Sequence, residues 1–232
     1  IDLTNTWIAD CGDPFLGNKE SKFKHPFYFK IVENWFCRQP DYISIPIAEG
    51  ISSYPDFCKE KIRIIPQGFD FNEIKEDNKV NDNPFPIFAY AGLVSKGVRD
   101  PSKFLEYLCS KVDIKFVFIM YTSNIDFLKP YIKKLGDKLI IRDYIPRDQL
   151  LVILKDMDFL VNFENKDIVQ SPSKLIDYAL VGKPILSIKS KEFDFNLVDE
   201  FLNRNYSNRY IVQGLEQYDI RNVCKKFLEL SK

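Results

Sequence analysis

Beyond residue 84 the chain alternates short apolar runs with stretches of helical period, and this alternation restricts the fold more than any other feature of the sequence. The apolar runs fall at 87–91, 115–120, 138–142, 159–163, 184–188 and 210–212. Helical spacing fills the intervals at 101–110, 125–135, 147–155, 172–181 and 193–203, and a last helical pattern covers 218–230. Most of the runs are continuously apolar, the pattern of strands buried on both faces of a parallel sheet. Strand–helix repetition of this kind predicts a doubly wound α/β domain, Rossmann-like, with its ligand crevice at the carboxyl ends of the strands.

Residues 72–84 are rich in Asn, Asp, Glu and Lys without apolar period, which reads as a linker. The boundary drawn there predicts a second, partial α/β domain over 1–75 and a ligand-binding domain over 76–232. In the first part, Ile8 and Ala9 close a strand that gives way to the polar turn Asp10-Cys11-Gly12-Asp13-Pro14. A helix opening near Pro26 carries Tyr28, Ile31, Val32, Trp35 and Phe36 on one face. Strands follow at 42–45 and 62–65, with a brief helix at 52–59 between them. Because the sequence starts at Ile1, already in strand-like residues, it reads as part of a longer chain.

Composition removes several classes of function. Lysine plus arginine and aspartate plus glutamate both number 33, so no bulk field draws the protein to nucleic acid. The five cysteines form an odd, scattered set without a C-x-x-C pair, which points to reduced thiols and a cytoplasmic setting rather than a disulfide framework or a zinc site. No apolar run approaches the ~20 residues of a membrane span. Lys22, Lys24, Lys30 and Arg38 gather early in the chain; they read as a solvated face, with peripheral contact to the inner face of a membrane as the open alternative.

Two elements at the expected carboxyl edge suit an anion. The first is the run from Ser171 to Ile188, read as helix, stop and buried strand. Ser171 can cap the helix and Pro172 suits its first turn, while Gly182 and Pro184 end it. Ser171, Ser173 and Lys174 therefore surround free N–H groups at the positive end of a helix dipole. The second is Gly92-Leu93-Val94-Ser95-Lys96-Gly97-Val98-Arg99, where a glycine lets a phosphate approach the backbone and Lys96 and Arg99 can neutralise it. Each alone is an ordinary capped helix or turn. Together at one edge they point to a phosphorylated ligand. Neither is a dinucleotide fingerprint or a P-loop. Asp156-Met157-Asp158 has metal-binding spacing, but it precedes its strand and so falls at the opposite, amino edge; no metal site is expected. His25, the single histidine, reads as a surface or helix-start residue.

Three motifs, in order, carry a family resemblance. The segment from Lys61 to Asp70, with Pro66, Gly68 and Asp70, resembles the interdomain run of family-4 retaining glycosyltransferases. Trp7 to Pro14 is similar to a late strand and turn of that family's N-terminal domain. Ser171 to Ile188 is similar to the S-K-x-x-(D/E)-Y-x-x-x-G-K-P-I-L wording of its bacterial polysaccharide-assembling members. The resemblance implies the two-domain GT-B fold and a nucleotide-diphosphate sugar held as substrate in the C-terminal domain, with no cofactor and no metal. It implies a hexosyl transfer to a saccharide or lipid-linked acceptor in surface polysaccharide assembly. Carried over, Gly92, Lys96, Arg99, Ser171, Ser173 and Lys174 lie beside the diphosphate, Ile145 flanks the base, and Asp177 hydrogen-bonds the ribose. Asp13 is the catalytic candidate, facing the acceptor from the N-terminal side, with capping of the following turn as the equal alternative. Two positions depart from the family: Leu93 stands where an arginine is common, and Val169 where a first acidic residue is common. A catalytically silent binding or partner subunit on the same fold is the alternative that these departures leave open. An epimerase on the same fold is a further one, for which no acid–base residues are found.

Overall fold

A computed structural model describes residues 6–12, 15–16, 26–73, 81–97, 99–123, 125–164, 173–189 and 192–231. The chain divides into two compact units, one drawn from Ile1–Phe71 and Gly214–Lys232, the other from Asn72–Lys166 and Ser173–Gln213.

The second unit is built on five parallel strands, β4 (Ile87–Ala91), β5 (Val117–Tyr121), β6 (Leu139–Arg142), β7 (Phe159–Phe163) and β8 (Ile185–Ile188), in the order β6-β5-β4-β7-β8. The order grows one way from β4 to β6 and then reverses to β7 and β8. That reversal puts the topological switch point between the carboxyl ends of β4 and β7, where ligands of doubly wound sheets are expected. Side-chain alternation sends one set of strand residues to each face. Phe88, Tyr90, Phe118, Met120, Phe159, Val161 and Phe163 meet Phe104, Leu105 and Leu108 of α2 (Ser102–Ser110), Leu128 and Leu135 around α3 (Lys129–Leu135), and Val198, Phe201 and Leu202 of α6 (Phe195–Leu202). On the other face, Ala89, Leu160 and Ile185 pack against Leu151 and Leu154 of α4 (Arg147–Leu154) and Tyr178 and Val181 of α5 (Ser173–Val181). Phe88 stacks on Phe118 at 4.9 Å and on Phe159 at 4.3 Å between ring centroids, so one aromatic column crosses the three central strands.

The expected strand at 210–212 is not one. Arg204 takes a left-handed backbone (φ 61°) and the turn after α6 returns the chain antiparallel to β8, where Tyr210 makes a single bridge through its N–H to Ile185 O at 2.8 Å. One antiparallel bridge does not extend a parallel sheet by a strand.

The first unit carries β1 (Ile8–Asp10), β2 (Tyr42–Ile45) and β3 (Ile62–Ile64), parallel and in that order. Its core is Ile43, Ile45, Tyr54, Ile62 and the thiols of Cys37 and Cys58. Cys37 belongs to α1 (Phe29–Arg38). Where a brief helix was expected at 52–59, two 3₁₀ stretches occur, Ala48–Ser53 and Asp56–Lys61. The last helix, α7 (Ile220–Leu230), belongs to this unit, whereas the linker-based boundary kept everything after 76 together. The cause is a backbone clasp: Phe69 N–H donates to Tyr218 O at 2.8 Å and Ile220 N–H donates to Phe69 O at 2.9 Å. Gly68 makes room for it, since a Cβ there would run into the Ile220 side chain.

Candidate functional site

The two anion-suited elements meet. Gly92 follows β4 directly, with its N–H on Tyr121 O at 3.0 Å and φ at +139°, a conformation that side chains other than glycine's rarely adopt. A Cβ placed on Gly92 would lie 3.7 Å from Lys174 Nζ and 3.4 Å from the Tyr90 hydroxyl. Lys174 is the second residue of α5, and its helix is fixed to the same strand end by Tyr178, whose buried hydroxyl accepts the Ala91 N–H at 2.8 Å. Gly182, left-handed at φ +78°, ends the helix as its sequence position requires.

The electrostatics of this corner are unusual. Part of Lys174 reaches the surface, but its ammonium sits 4.1 Å from the centroid of the fully buried Tyr90 ring. Burial, and secondly the positive charge of Arg99, pull its pKa down to about 7. Burial likewise pushes the Tyr90 hydroxyl well up, and that hydroxyl donates to Leu93 O at 2.7 Å, bracing the turn. A buried ammonium in the first turn of α5, further disfavoured by the charge of Arg99, is a place that an anion would relieve.

Not every predicted residue joins this corner. Lys96 is exposed at the tip of the turn, which is closed by Ser95 N–H to Arg99 O at 3.0 Å and by Gly97 N–H to Asp100 Oδ2 at 3.1 Å. Ser173 is exposed as the first residue of α5. Ile145 is half-buried in the loop between β6 and α4. Asp177 is half-buried one helical turn after Lys174; burial raises its pKa, opposed by Arg147. Asp13 and Ser171, like Val169, Pro172 and His25, lie outside the described residues. Asp158 sits at the amino edge as expected, and its carboxylate is spent on strand structure: Oδ2 accepts Asn83 Nδ2 at 3.0 Å and the Ile87 N–H at 2.8 Å.

Sequence reasoning missed three features of this edge. Arg147 binds Asp177 across 30 residues, Nε at 3.0 Å and Nη2 at 2.8 Å from Oδ1, and pairs with Glu73. Thr122, just past β5 and almost wholly buried, has a hydroxyl without a hydrogen-bond partner among the described residues. Asn162 in β7 donates to the Ser187 hydroxyl at 2.8 Å, which donates to Glu164 at 3.0 Å. A polar residue inside an apolar strand run was the available signal for Asn162 and Ser187. Farther along the edge, a pocket of ≈ 620 Å³ lies between the end of β8 and the start of α6, lined among others by Ser187, Lys189, Phe193 and Asp194 and by none of the Gly92 or Lys174 corner.

Known structures share this architecture. TarM superposes with a TM-score of 0.65 at 13% identity, over 98% of this chain and 50% of that one. An S. aureus TarM mutant in complex with fondaparinux, α-GlcNAc-glycerol and UDP gives 0.60 at 12% identity, over 98% and 51%. Anabaena HepE in complex with UDP gives 0.66 at 10% identity, over 97% and 71%. A glycosyltransferase from Rickettsia africae gives 0.64 at 10% identity, over 90% and 68%. The chain has the GT-B fold. It spans about half the length of TarM. No protein-family model and no curated protein matches the sequence. Among the described residues of this GT-B chain, no helix is long and apolar enough to cross a membrane.

Proposed function

We propose that the second unit binds a nucleotide-diphosphate sugar and that the protein transfers the sugar to a saccharide or lipid-linked acceptor in surface polysaccharide assembly, at the cytoplasmic side. The observation that carries this reading is the Lys174 ammonium held beside the Gly92 turn at the sheet's reversal point, with Arg99 close enough to depress it. A diphosphate entering there would meet the N-terminal end of α5, the Lys174 ammonium under the field of Arg99, and a backbone with no side chain in the way. The same groups would stabilise the charge that grows on the leaving diphosphate, which is how this reading accounts for transfer without a metal or cofactor. In it Asp177 accepts ribose hydroxyls, Ile145 flanks the base, and Ser171, Ser173 and Lys96 border the phosphates. Asp13 serves the acceptor side, and the sugar is a hexose transferred with retention. The UDP bound by HepE and by the TarM mutant supports a uridine nucleotide as the first to try.

Calorimetric titration with UDP, GDP, ADP and dTDP tests this. At least one should bind, Lys174→Ala should weaken it by about tenfold or more, the worth of one hydrogen bond to a charged group, and a chelator should change nothing. Absence of binding by all four would overturn the reading. A second reading, a donor-binding subunit without turnover, is favoured by Leu93, which stands exposed where the resemblance places an arginine; donor binding with no transfer to any acceptor would select it.

A further inference from the structure

Arg147 opens α4 two residues after Ile145, and Asp177 lies three residues after Lys174 on α5. No local pattern links them, yet Nε and Nη2 of Arg147 both donate to one oxygen of Asp177, Oδ1, and among the described residues neither reaches Oδ2. The remaining arm of the same guanidinium pairs with Glu73, so the fork is held from behind. We propose that Arg147 is a positioning residue of the donor site: it clamps Oδ1 of Asp177 so that Oδ2 is presented, ionised and in one rotamer, to hydroxyl donors of the ligand's ribose. The inference rests on the reading that this unit binds a nucleotide diphosphate and deepens it.

The chemistry narrows what Asp177 can meet. An ionised carboxylate only accepts hydrogen bonds, so it repels phosphate oxygens and selects hydroxyls or amines. Standing one helical turn from Lys174, it is placed for the group next to the phosphates rather than for the phosphates themselves. Burial alone would favour the protonated acid, whose proton would compete with the ribose; the adjacent guanidinium opposes this. Arginine suits the task because its planar fork reaches two partners at once without changing protonation state. Among the described residues, the charged groups acting on Asp177 are Arg147 and, at longer range and in the opposite sense, Glu73.

The test is titration of UDP, its 2′,3′-dideoxy analogue and inorganic pyrophosphate into the wild type, Arg147→Gln and Arg147→Lys. The wild type should prefer UDP over the dideoxy compound by about tenfold, the worth of a hydrogen bond to a charged group. Arg147→Gln should lose that preference while keeping pyrophosphate affinity, and Arg147→Lys should restore part of it. On acidification the UDP affinity of Arg147→Gln should fall at a higher pH than that of the wild type, a shift that a merely structural residue would not produce. If Arg147→Gln does not fold, Glu73→Gln, which loosens the fork from behind, should reduce the preference in the same direction. The inference is overturned if the wild type binds UDP and its dideoxy analogue alike, or if Arg147→Gln keeps both the preference and the pH profile; the donor site itself would survive either result. Failure of the wild type to bind pyrophosphate or any of UDP, GDP, ADP and dTDP would instead remove the site, and the inference with it; should another nucleotide bind in place of UDP, the ribose comparison is run with that nucleotide and its dideoxy analogue.

Discussion

The two units use amphipathic helices in opposite ways. In the second, α2, α4, α5 and α6 turn their apolar residues onto the sheet, and Phe104, Leu105, Leu151, Leu154, Tyr178 and Phe201 are all buried. In the first, α1 has an equally clear apolar face, but Ile31 and Trp35 are 67% and 61% exposed, and it is Cys37 that goes inside. Periodicity therefore locates a helix in both units while its apolar stripe marks a core in only one. A stripe of this kind says which residues prefer to leave water. It does not say that the surrounding residues cover them.

The comparison can be broken by substitution. Phe88→Ala, which opens the aromatic column of the second unit, should cost about 3–5 kcal/mol in urea unfolding. Gly68→Val in the first unit should cost about 1–3 kcal/mol, by overpacking the Gly68–Ile220 contact that seats α7, and would show as a lowered melting temperature. Lys174 sharpens the contrast through pH. Its folded pKa lies near 7 against an ordinary 10.5, so between those values the unfolded chain holds a proton that the folded chain lacks. Stability should accordingly rise as pH is raised from about 7 toward 10, and Lys174→Met should remove that rise from the denaturation profile without lowering stability at neutral pH. The smallest effect belongs to α1: Trp35→Ala should change stability by less than about 0.5 kcal/mol. A Trp35 cost comparable to that of Phe88 would show that the first unit's apolar stripe is a core after all.

Legibility of the sequence follows the same division. The five strands of the second unit coincide with the expected apolar runs to within two residues, because a strand buried on both faces leaves a continuous signature. Tyr210 failed because one bridging residue in an apolar triplet looks like the start of a strand. The membership of α7 was invisible for another reason: Phe69 and Ile220 are brought together by backbone bonds, and backbone bonds leave no mark on residue type. In the candidate site, Gly92 and Lys174 could be assigned to one edge from sequence because strand–helix alternation puts both turns at the carboxyl ends; that β4 and β7 are neighbours is a matter of strand order, which residue types do not spell out. The Arg147–Asp177 clamp could not, since a charged residue opening a helix is usually solvated and nothing local singles out its partner.

The proton balance of nucleotide binding tests the central claim most directly. At about pH 8 an ammonium with a pKa near 7 is mostly neutral, and a diphosphate seated against it should draw a proton from solution. Titrations of UDP in two buffers of different ionisation enthalpy should show uptake of close to one proton by the wild type, and weaker binding with no uptake by Lys174→Met. Equal affinity and equal proton balance in the two proteins would contradict the pairing of Gly92 and Lys174 as a diphosphate site.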